Sequence, residues 1–438
     1  MRVTLTPMET GRAEPRGLAT QGSGWSSTWG DRSSTQVSRS TTVLQESDRG
    51  ADAPQVDLLG GSSDPALAAP ACGPSTLTRM PVERGVSSWL DHLSRADLDH
   101  GSLHRMIAEG VRGVGAAQSE LADTLEVCAA HDEQLRWLLA TGCTAPEAYW
   151  DITVADTKAA CALMRPVYEM SQGTDGFVSL QVAPAHTRRT RATTATICGL
   201  HRRIDRPNLL VAIPATASGV QALQATVSAG CNINATSIFS LARYAAVIEA
   251  YQTGLEAFVA LCGDPTTVHG LASFSLSRLD AEVDRRVELL GGRGAPELRG
   301  LAATAQAILA CQLFEEQFST QRWARLARRG ATPQRLAWVC AGTDPDNDHA
   351  QQYLDAVSVR NTVQVLSAST VATVNDRSLG DPPPRISATD AAGVVSALAE
   401  LRIDLDDVAA ALERQSSSLA QHSLADALDQ VCEGSGQP

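Results

Sequence analysis

The chain has 438 residues, 43% of them hydrophobic, and a formal net charge of −13 at pH 7. The acidic balance opposes binding to a polyanion, and the arginines are scattered rather than gathered into a basic stripe, so we expect no nucleic-acid partner. No uncharged apolar run reaches the length of about 18 residues that a membrane span needs, and the first residues lack the apolar core of a secretory signal. These features predict a cytoplasmic protein that does not bind membranes.

The first part of the chain differs in composition from the rest. Residues 1–80 are rich in Ser, Thr, Gly, Pro and Arg and show neither the period of a strand nor that of a helix. This composition predicts a disordered Ser/Arg/Gly-rich leader, followed by a folded part over 81–438. Met80 stands just before the folded part, and a chain that starts there and folds normally would show the leader to be dispensable.

From Val82 onward, short β-rich runs alternate with helical stretches rich in Ala, Leu, Glu and Arg. Eight runs are predicted as strands: 87–91, 112–115, 177–182, 209–215, 232–239, 271–278, 335–341 and 362–368. Repeated βα units predict the α/β class, and eight of them predict a (β/α)8 TIM barrel with its chemistry at the carboxyl ends of the strands. Extra helices are predicted around 116–172 and 281–330, and amphipathic C-terminal helices are expected to pack on the outside of the barrel.

Two residue types carry information by their number and spacing. Ten cysteines lie far apart, without a CxxC pair or a histidine at ligand spacing. This pattern favours buried, reduced thiols over a disulfide framework or a zinc site, so we expect no metal and no other cofactor. Lysine occurs once, as Lys158, in a stretch predicted to be helical and away from any strand end.

Several motifs resemble those of the longer bacterial transaldolases. The segments are GVSSWLDHLSR (85–95), IDRPNLLVAIPATASG (204–219) and NINATSIFS (232–240), and the similarity runs in unbroken order over roughly 82–432. The resemblance implies a barrel of the class I aldolase/transaldolase type. It also implies a chemistry in which a barrel lysine forms an imine with a ketose phosphate, so that the adjacent C–C bond can break.

The resemblance also indicates positions where this chain departs from the family. Ala212 matches the imine-forming lysine, and a methyl group cannot form an imine. Gln181 matches a glutamate that positions water, Ala117 matches an asparagine, and Ala183 matches a carboxylate. Asp344 matches a lysine that could help to hold phosphate, and the lysine of a later family motif is Ser369. We therefore expect sugar phosphates to bind poorly.

Other polar positions of the family are retained. By resemblance, the candidate catalytic residues are Asp91 as the acid/base group, Asn234 and Thr236, and the candidate substrate-binding residues are Ser273, Arg278 and Gln181. Most have a purely structural alternative: a strand-end carboxylate held by backbone donors for Asp91, an ion pair for Arg278, and hydrogen bonding within the barrel for Asn234 and Thr236. Gln181 is most simply an inert replacement.

Three other residues are interpreted as structural. Strand alternation predicts that His92 points away from Asp91, and His269 precedes the sixth predicted strand, where packing explains it. Cys340 lies near the end of the seventh predicted strand without a matched histidine to activate it, which favours a buried thiol over a nucleophile.

Three functions fit these residues. The main hypothesis is an enzyme of a specialised pathway that has lost the imine route and uses acid/base chemistry on a less anionic small molecule held in the barrel mouth. The first alternative is a non-catalytic pseudoenzyme that binds a metabolite or a protein partner. The second alternative is a true transaldolase, a transferase of carbohydrate metabolism in the pentose phosphate pathway.

Overall fold

The chain divides into two units, 1–69 and 70–438, and the fold described below belongs to the second. A computed structural model describes residues 75–115, 131–182, 190–290, 296–340, 353, 356–375 and 386–434. In the last helix, the side chains of 420, 421 and 423–434 are not described.

Eight strands form a closed barrel in which each strand pairs with its neighbours in sequence and β1 pairs with β8. The strands are β1 (Val86–Leu90), β2 (Val111–Val114), β3 (Val178–Gln181), β4 (Leu209–Pro214), β5 (Ile233–Ile238), β6 (Gly270–Ser275), β7 (Arg335–Val339) and β8 (Thr362–Leu366). Every pairing is parallel. The fold is the expected (β/α)8 TIM barrel.

Helices cover the outside of the barrel. They are α1 (Thr76–Glu83), α2 (Arg95–Asp99), α3 (Ser102–Ala108), α4 (Asp132–Ala140), α5 (Ala145–Met170), α6 (Thr190–Ile204), α7 (Ala217–Ser228), α8 (Leu241–Ala260), α9 (Leu276–Leu290), α10 (Ala302–Phe318), α11 (Gln321–Ala327), α12 (Ala368–Asn375), α13 (Ala388–Glu400) and α14 (Leu405–Gly434). Short 3₁₀ turns occupy Pro265–Thr267 and Pro296–Leu298.

Alternation along each strand separates two cores. Trp89, Phe177, Leu210 and Leu271 pack together inside the barrel, whereas the residues between them on the strands pack outward against the helices. The same alternation directs Gln181, Ala212 and the other candidate site residues on β3 to β6 inward. The sequence pattern thus decides which strand residues can reach a ligand in the mouth, by which we mean the carboxyl ends of the eight strands.

Capping side chains set where the helices after β4 and β5 begin. Thr216 accepts a hydrogen bond from the backbone N–H of Gly219 at 3.1 Å, and Ser240 accepts one from that of Arg243 at 3.1 Å. These bonds satisfy amide donors that the first turn of a helix leaves without a partner. Helices α7 and α8 therefore begin close to the mouth.

A buried polar cluster lies at the opposite, amino-terminal end of the barrel. The carboxylate of Asp175 accepts hydrogen bonds from Ser87 Oγ at 2.7 Å and Trp89 Nε1 at 3.2 Å. Arg335 Nη1 approaches the same carboxylate at 3.0 Å, and its Nη2 donates to the carbonyl oxygen of Thr362 at 3.2 Å. The cluster ties β1, β7, β8 and the turn before β3 together, and no motif in the sequence had indicated it.

Two boundaries differ by three or more residues from the sequence-based expectations. The sixth run was predicted as a strand to residue 278, but β6 ends at Ser275 and Leu276 begins α9, so Arg278 lies on a helix. The leader was expected to end near residue 80, but α1 begins at Thr76 and buries Leu77 completely. Residues 1–74 lie outside the described part of the chain.

Two searches of the described residues were negative. No described helix is both long and apolar enough to cross a membrane. Within the same residues, no three His, Cys, Asp or Glu side chains form a group that could hold a metal ion.

Candidate functional site

Asp91 lies immediately after β1 at the mouth. Its backbone N–H donates to the carbonyl oxygen of Leu366 on β8 at 2.8 Å, which continues the strand pairing by one residue. Its carboxylate is almost completely buried, and Oδ1 lies 2.9 Å from Nδ1 of His92, a side chain that is 35% exposed. The expectation that His92 points away from Asp91 is therefore wrong: β1 ends at Leu90, so strand alternation no longer applies.

Three candidate positions lie at the same level on adjacent strands. Gln181 on β3 is in register with Ala212 on β4, and Ala212 is in register with Asn234 on β5. Ala212 is completely buried inside the barrel, between the two amides. A methyl group thus occupies an interior position near the mouth.

A chain of hydrogen bonds crosses the barrel at this level. Asn234 Nδ2 donates to Ser179 Oγ on β3 at 3.1 Å, and Ser273 Oγ on β6 donates to Asn234 Oδ1 at 2.8 Å. Since β4 lies between β3 and β5, the Asn234 amide reaches Ser179 across the strand that carries Ala212. The structure thus brings together Asn234, a candidate catalytic residue, and Ser273, a candidate substrate-binding residue, and Ser179 joins them.

The end of β5 departs from regular strand geometry. The register between β5 and β6 shifts between Ala235 and Ile238, and Ser237 has a φ of 56°, which side chains other than glycine rarely adopt. A bulge at a strand end turns the side chains beside it. Thr236 precedes Ser237 directly, so the orientation of its hydroxyl depends on this irregularity.

Two buried polar atoms of the site have no hydrogen-bond partner in the described structure. They are Gln181 Oε1 and Thr236 Oγ1, and both side chains are more than nine-tenths buried. Most buried polar atoms in proteins do have a partner, so each of these is a position where a ligand group or a water molecule would be stabilised.

Arg278 lies on the first turns of α9, beside the mouth. Its guanidinium donates from Nη1 to Ser416 Oγ of α14 at 2.7 Å and lies 5.4 Å from the ring centre of Phe239. Burial lowers the pKa of Arg278, and no carboxylate of the described residues forms an ion pair with it. The ion-pair alternative for Arg278 therefore finds no support in the described part of the chain.

Glu282, one turn after Arg278 on α9, binds other arginines. Glu282 accepts hydrogen bonds from Arg285 Nη2 and Arg286 Nε, both at 2.8 Å, and these bonds lower its pKa to about 2. Glu282 is thus committed to neighbours on its own helix. The charge of Arg278 remains available to an anionic group.

The remaining candidate positions have different outcomes. Ala117, Ala183 and Asp344 lie outside the described residues. Ser369 lies on α12 with its Oγ 2.9 Å from that of Ser367, next to the end of β8. Cys340 is buried and its pKa is raised to about 12 by desolvation, which is unsuited to a nucleophile.

Comparison with known proteins identifies the family. The profile described as Transaldolase/Fructose-6-phosphate aldolase matches residues 88–431, most of the chain. The chain belongs to this family. The matched range nearly coincides with the 82–432 over which the motifs resemble transaldolases.

Relatives named transaldolase align over most of their own length. The protein of Arthrobacter sp. is 37% identical over 344 residues, which are 78% of this chain and 92% of the relative. The protein of Parafrankia sp. is 38% identical over 356 residues, 80% of this chain and 96% of the relative. The protein of Thermobifida fusca is 37% identical over 353 residues, with 80% and 96% covered.

Within this transaldolase-family barrel, Lys158 is far from a strand end in sequence. It lies half-buried on α5, a helix that packs against the outside of β2 and β3. No other lysine occurs in the chain. The barrel interior near Ala212 therefore contains no lysine.

Two residues that contact candidate positions were missed from the sequence. His92 was dismissed because the strand was extended one residue too far. Ser179 stands two residues before Gln181, so the period of two that predicts an inward side chain also applies to it. Its partner Asn234 belongs to another strand, and sequence spacing alone does not pair residues on different strands.

Proposed function

We propose that this transaldolase-family protein works without a lysine imine. The observation that carries the proposal is the position of Lys158: the only lysine is on the outer helix α5, while Ala212 occupies the interior position between Gln181 and Asn234. An imine requires a primary amine at the carbonyl carbon of the substrate. Asp91, supported by His92, would then act as a general acid or base instead.

The contact between Asp91 and His92 supports acid/base chemistry. A carboxylate that accepts a hydrogen bond from Nδ1–H fixes the tautomer and the orientation of the imidazole. Because Asp91 is buried and His92 is 35% exposed, the histidine offers a route for protons between the carboxylate and solvent. A general base must lie within hydrogen-bond reach of the proton that it takes, which limits the substrate to the mouth.

The polar groups at the mouth favour a hydroxylated substrate. Gln181 Oε1 can only accept a hydrogen bond, so a substrate hydroxyl or amine would satisfy it, and the Thr236 hydroxyl can accept or donate. Arg278 offers a single positive charge for one anionic group.

Reductive trapping tests the absence of the imine. The full-length protein is mixed with fructose 6-phosphate and sodium borohydride, which reduces an imine to a stable secondary amine, and its intact mass is measured. We expect no gain in mass, whereas the relative from Thermobifida fusca serves as the positive control and should gain it. A covalent adduct on the present chain would overturn the proposal.

Transaldolase activity is the second candidate, and the names of the relatives together with 37–38% identity over most of their length favour it. In that case the adduct has to map to the peptide that contains Lys158, because no other lysine exists. Lys158→Ala would then abolish trapping.

A further variant separates an enzyme from a protein that only binds. We expect Asp91→Asn to abolish the cellular phenotype that depends on this protein while the melting curve stays cooperative. Asp99→Asn, an exposed carboxylate eight residues further along, is the matched control and should leave the phenotype intact. An unchanged phenotype for Asp91→Asn would instead indicate a non-catalytic role.

A further inference from the structure

Two thiols lie in contact at the amino-terminal end of the barrel, away from the mouth. Cys198 is on α6, and Cys231 is two residues before the start of β5. Their Sγ atoms are 3.7 Å apart, although 33 residues separate them in sequence. The expectation that the cysteines are buried holds for Cys231, but Cys198 is only half-buried and so is open to a small oxidant.

Hydrogen bonds hold the two backbones beside each other. His201, one turn after Cys198, has its Nε2 2.8 Å from the carbonyl oxygen of Asn232, the residue after Cys231. The N–H of Cys231 donates to Thr226 O at 3.1 Å, and Asn232 Nδ2 donates to Pro207 O at 2.9 Å. The pair is therefore held in place by its neighbours, independently of any contact between the sulfur atoms.

The distance between the sulfur atoms is compatible with bond formation. A disulfide has an S–S length of about 2.0 Å, so the sulfur atoms must approach by less than the diameter of one atom. Each sulfur is placed by rotation about its own Cα–Cβ bond, and half-exposure leaves Cys198 room to turn.

We propose that Cys198 and Cys231 are an oxidative modification site that closes to an intramolecular disulfide when the protein meets a peroxide. The Cys198 thiolate attacks one peroxide oxygen, the O–O bond breaks, and water leaves, so that Cys198 becomes a sulfenic acid. The Cys231 sulfur then attacks the Cys198 sulfur, and the hydroxyl leaves as a second water with the thiol proton. Two thiols and one hydrogen peroxide thus yield one disulfide and two waters.

The environments of the two sulfurs fit this order of attack. Burial, and then the neighbouring Cys198, raise the pKa of Cys231 to about 12, so Cys231 is a poor first nucleophile. Cys198 is the more accessible thiol and meets the oxidant first. The pair lies at the amino-terminal end of the barrel, which contributes mainly to stability. The disulfide therefore links α6 to the residues just before β5 and stabilises the fold.

Peptide mapping tests the proposal on the wild-type protein. The reduced protein is treated with hydrogen peroxide, the remaining thiols are alkylated, and the digest with trypsin is analysed without reduction. We expect a linked pair of peptides, 192–202 with 204–243, which disappears after treatment with dithiothreitol. Sulfinic acid at Cys198 without a linked peptide, or a link from Cys198 to another cysteine, would refute the proposal.

Melting curves provide a second, independent measurement. Closing a loop of this length should raise the midpoint of unfolding by about 5 °C or more. The rise should be absent in Cys198→Ser and Cys231→Ala and present in Cys143→Ser, which removes another half-buried thiol. A rise that persists in Cys198→Ser would contradict the assignment even if the linked peptide were found.

Discussion

The guanidinium of Arg335 meets the carboxylate of Asp175 at 3.0 Å inside the amino-terminal end of the barrel, where the two side chains are only 12% and 10% exposed. Ser87, Trp89 and the carbonyl oxygens of Thr174 and Thr362 complete the hydrogen bonding of the pair. A buried pair whose remaining donors and acceptors are satisfied tolerates the cost of desolvation, but the loss of one partner leaves the other charge unbalanced.

Asp175→Asn should therefore destabilise the fold by about 3 kcal/mol, measured as the free energy of unfolding in urea at pH 7. The matched control is Glu169→Gln, which removes the exposed ion pair with Arg165 and should change the free energy by less than about 0.5 kcal/mol. Equal losses in the two variants would show that burial of the Asp175–Arg335 pair is not what matters.

The first turn of helix α1 packs into the fold, so the residue at which an N-terminally truncated chain starts affects its stability. Leu77 is completely buried with Met80 and Val86, and its N–H donates to Asn375 Oδ1 at 3.3 Å. Gly110 allows this approach, because a Cβ there would lie 2.5 Å from the carbonyl carbon of Leu77. The first turn of α1 thus belongs to the folded part.

A chain that starts at Met80 should therefore be less stable than one that starts at Ser75, by about 2 kcal/mol or more, because it loses the buried Leu77 side chain. Urea unfolding of the two truncated chains measures the difference, and Leu77→Ala in the longer chain should reproduce most of it. Identical unfolding curves would restore the original expectation that the folded part begins at residue 81.

The barrel could be predicted well because its strands and helices are indicated by patterns among residues that are close in sequence. Each of the eight β-rich runs overlaps a strand, and most errors are of one or two residues at the ends. The larger error, at Arg278, arose because Ser275 to Arg278 reads equally well as a strand end or a helix start. The motif resemblance could assign roles to positions, but neither local signal could place Ser179 beside Asn234 or Cys198 beside Cys231.

Contacts between distant segments were the part that could not be predicted. Asp175 and Arg335 are 160 residues apart, and nothing near either residue indicates an ion pair. The error at His92 has a different origin, because its partner Asp91 is adjacent in sequence. The predicted strand was extended to Asp91, which lies in a bend. One residue of strand length therefore reversed the predicted direction of a side chain at the site.

His269 should make stability depend on pH. Desolvation lowers its pKa from 6.5 to about 4 in the folded protein, where its ring packs against Tyr168 and Phe177. Below about pH 6.5 the histidine binds a proton in the unfolded chain but not in the folded one, so the free energy of unfolding falls as the pH decreases towards 4. Below about pH 4 this contribution levels off. The full loss from this group is about 2 kcal/mol once partial access to water is allowed for.

The measurement is the free energy of unfolding between pH 7 and pH 4 for the wild type and His269→Gln. The free energy of unfolding of the wild type minus that of His269→Gln should fall by about 2 kcal/mol from pH 7 to pH 4, whatever its value at pH 7. His104→Gln, which removes an exposed histidine, should run parallel to the wild type. Parallel curves for His269→Gln would mean that the buried ring takes up its proton at the ordinary pH.

The last prediction concerns Ala212, which has no exposed surface and lies on the strand between those of Asn234 and Ser179. Ala212→Lys places a primary amine at the level of Gln181, and we expect borohydride with a ketose phosphate to give an adduct that the wild type lacks. The longer side chain enters a completely buried position, so the variant should lose about 1–3 kcal/mol of stability.

Turnover of Ala212→Lys should stay low, because Gln181 cannot exchange a proton with the attacking water as a carboxylate would. Adding Gln181→Glu should therefore raise the rate at which the imine is hydrolysed more than the rate at which it forms. Lys158→Ala in the same background controls for labelling outside the barrel and should leave the adduct unchanged. If Ala212→Lys folded but gave no adduct, the lack of an amine at this position would not by itself decide whether the barrel forms an imine. The arrangement of Asp91, Thr236 and Arg278 would then have to differ from that needed to hold a ketose.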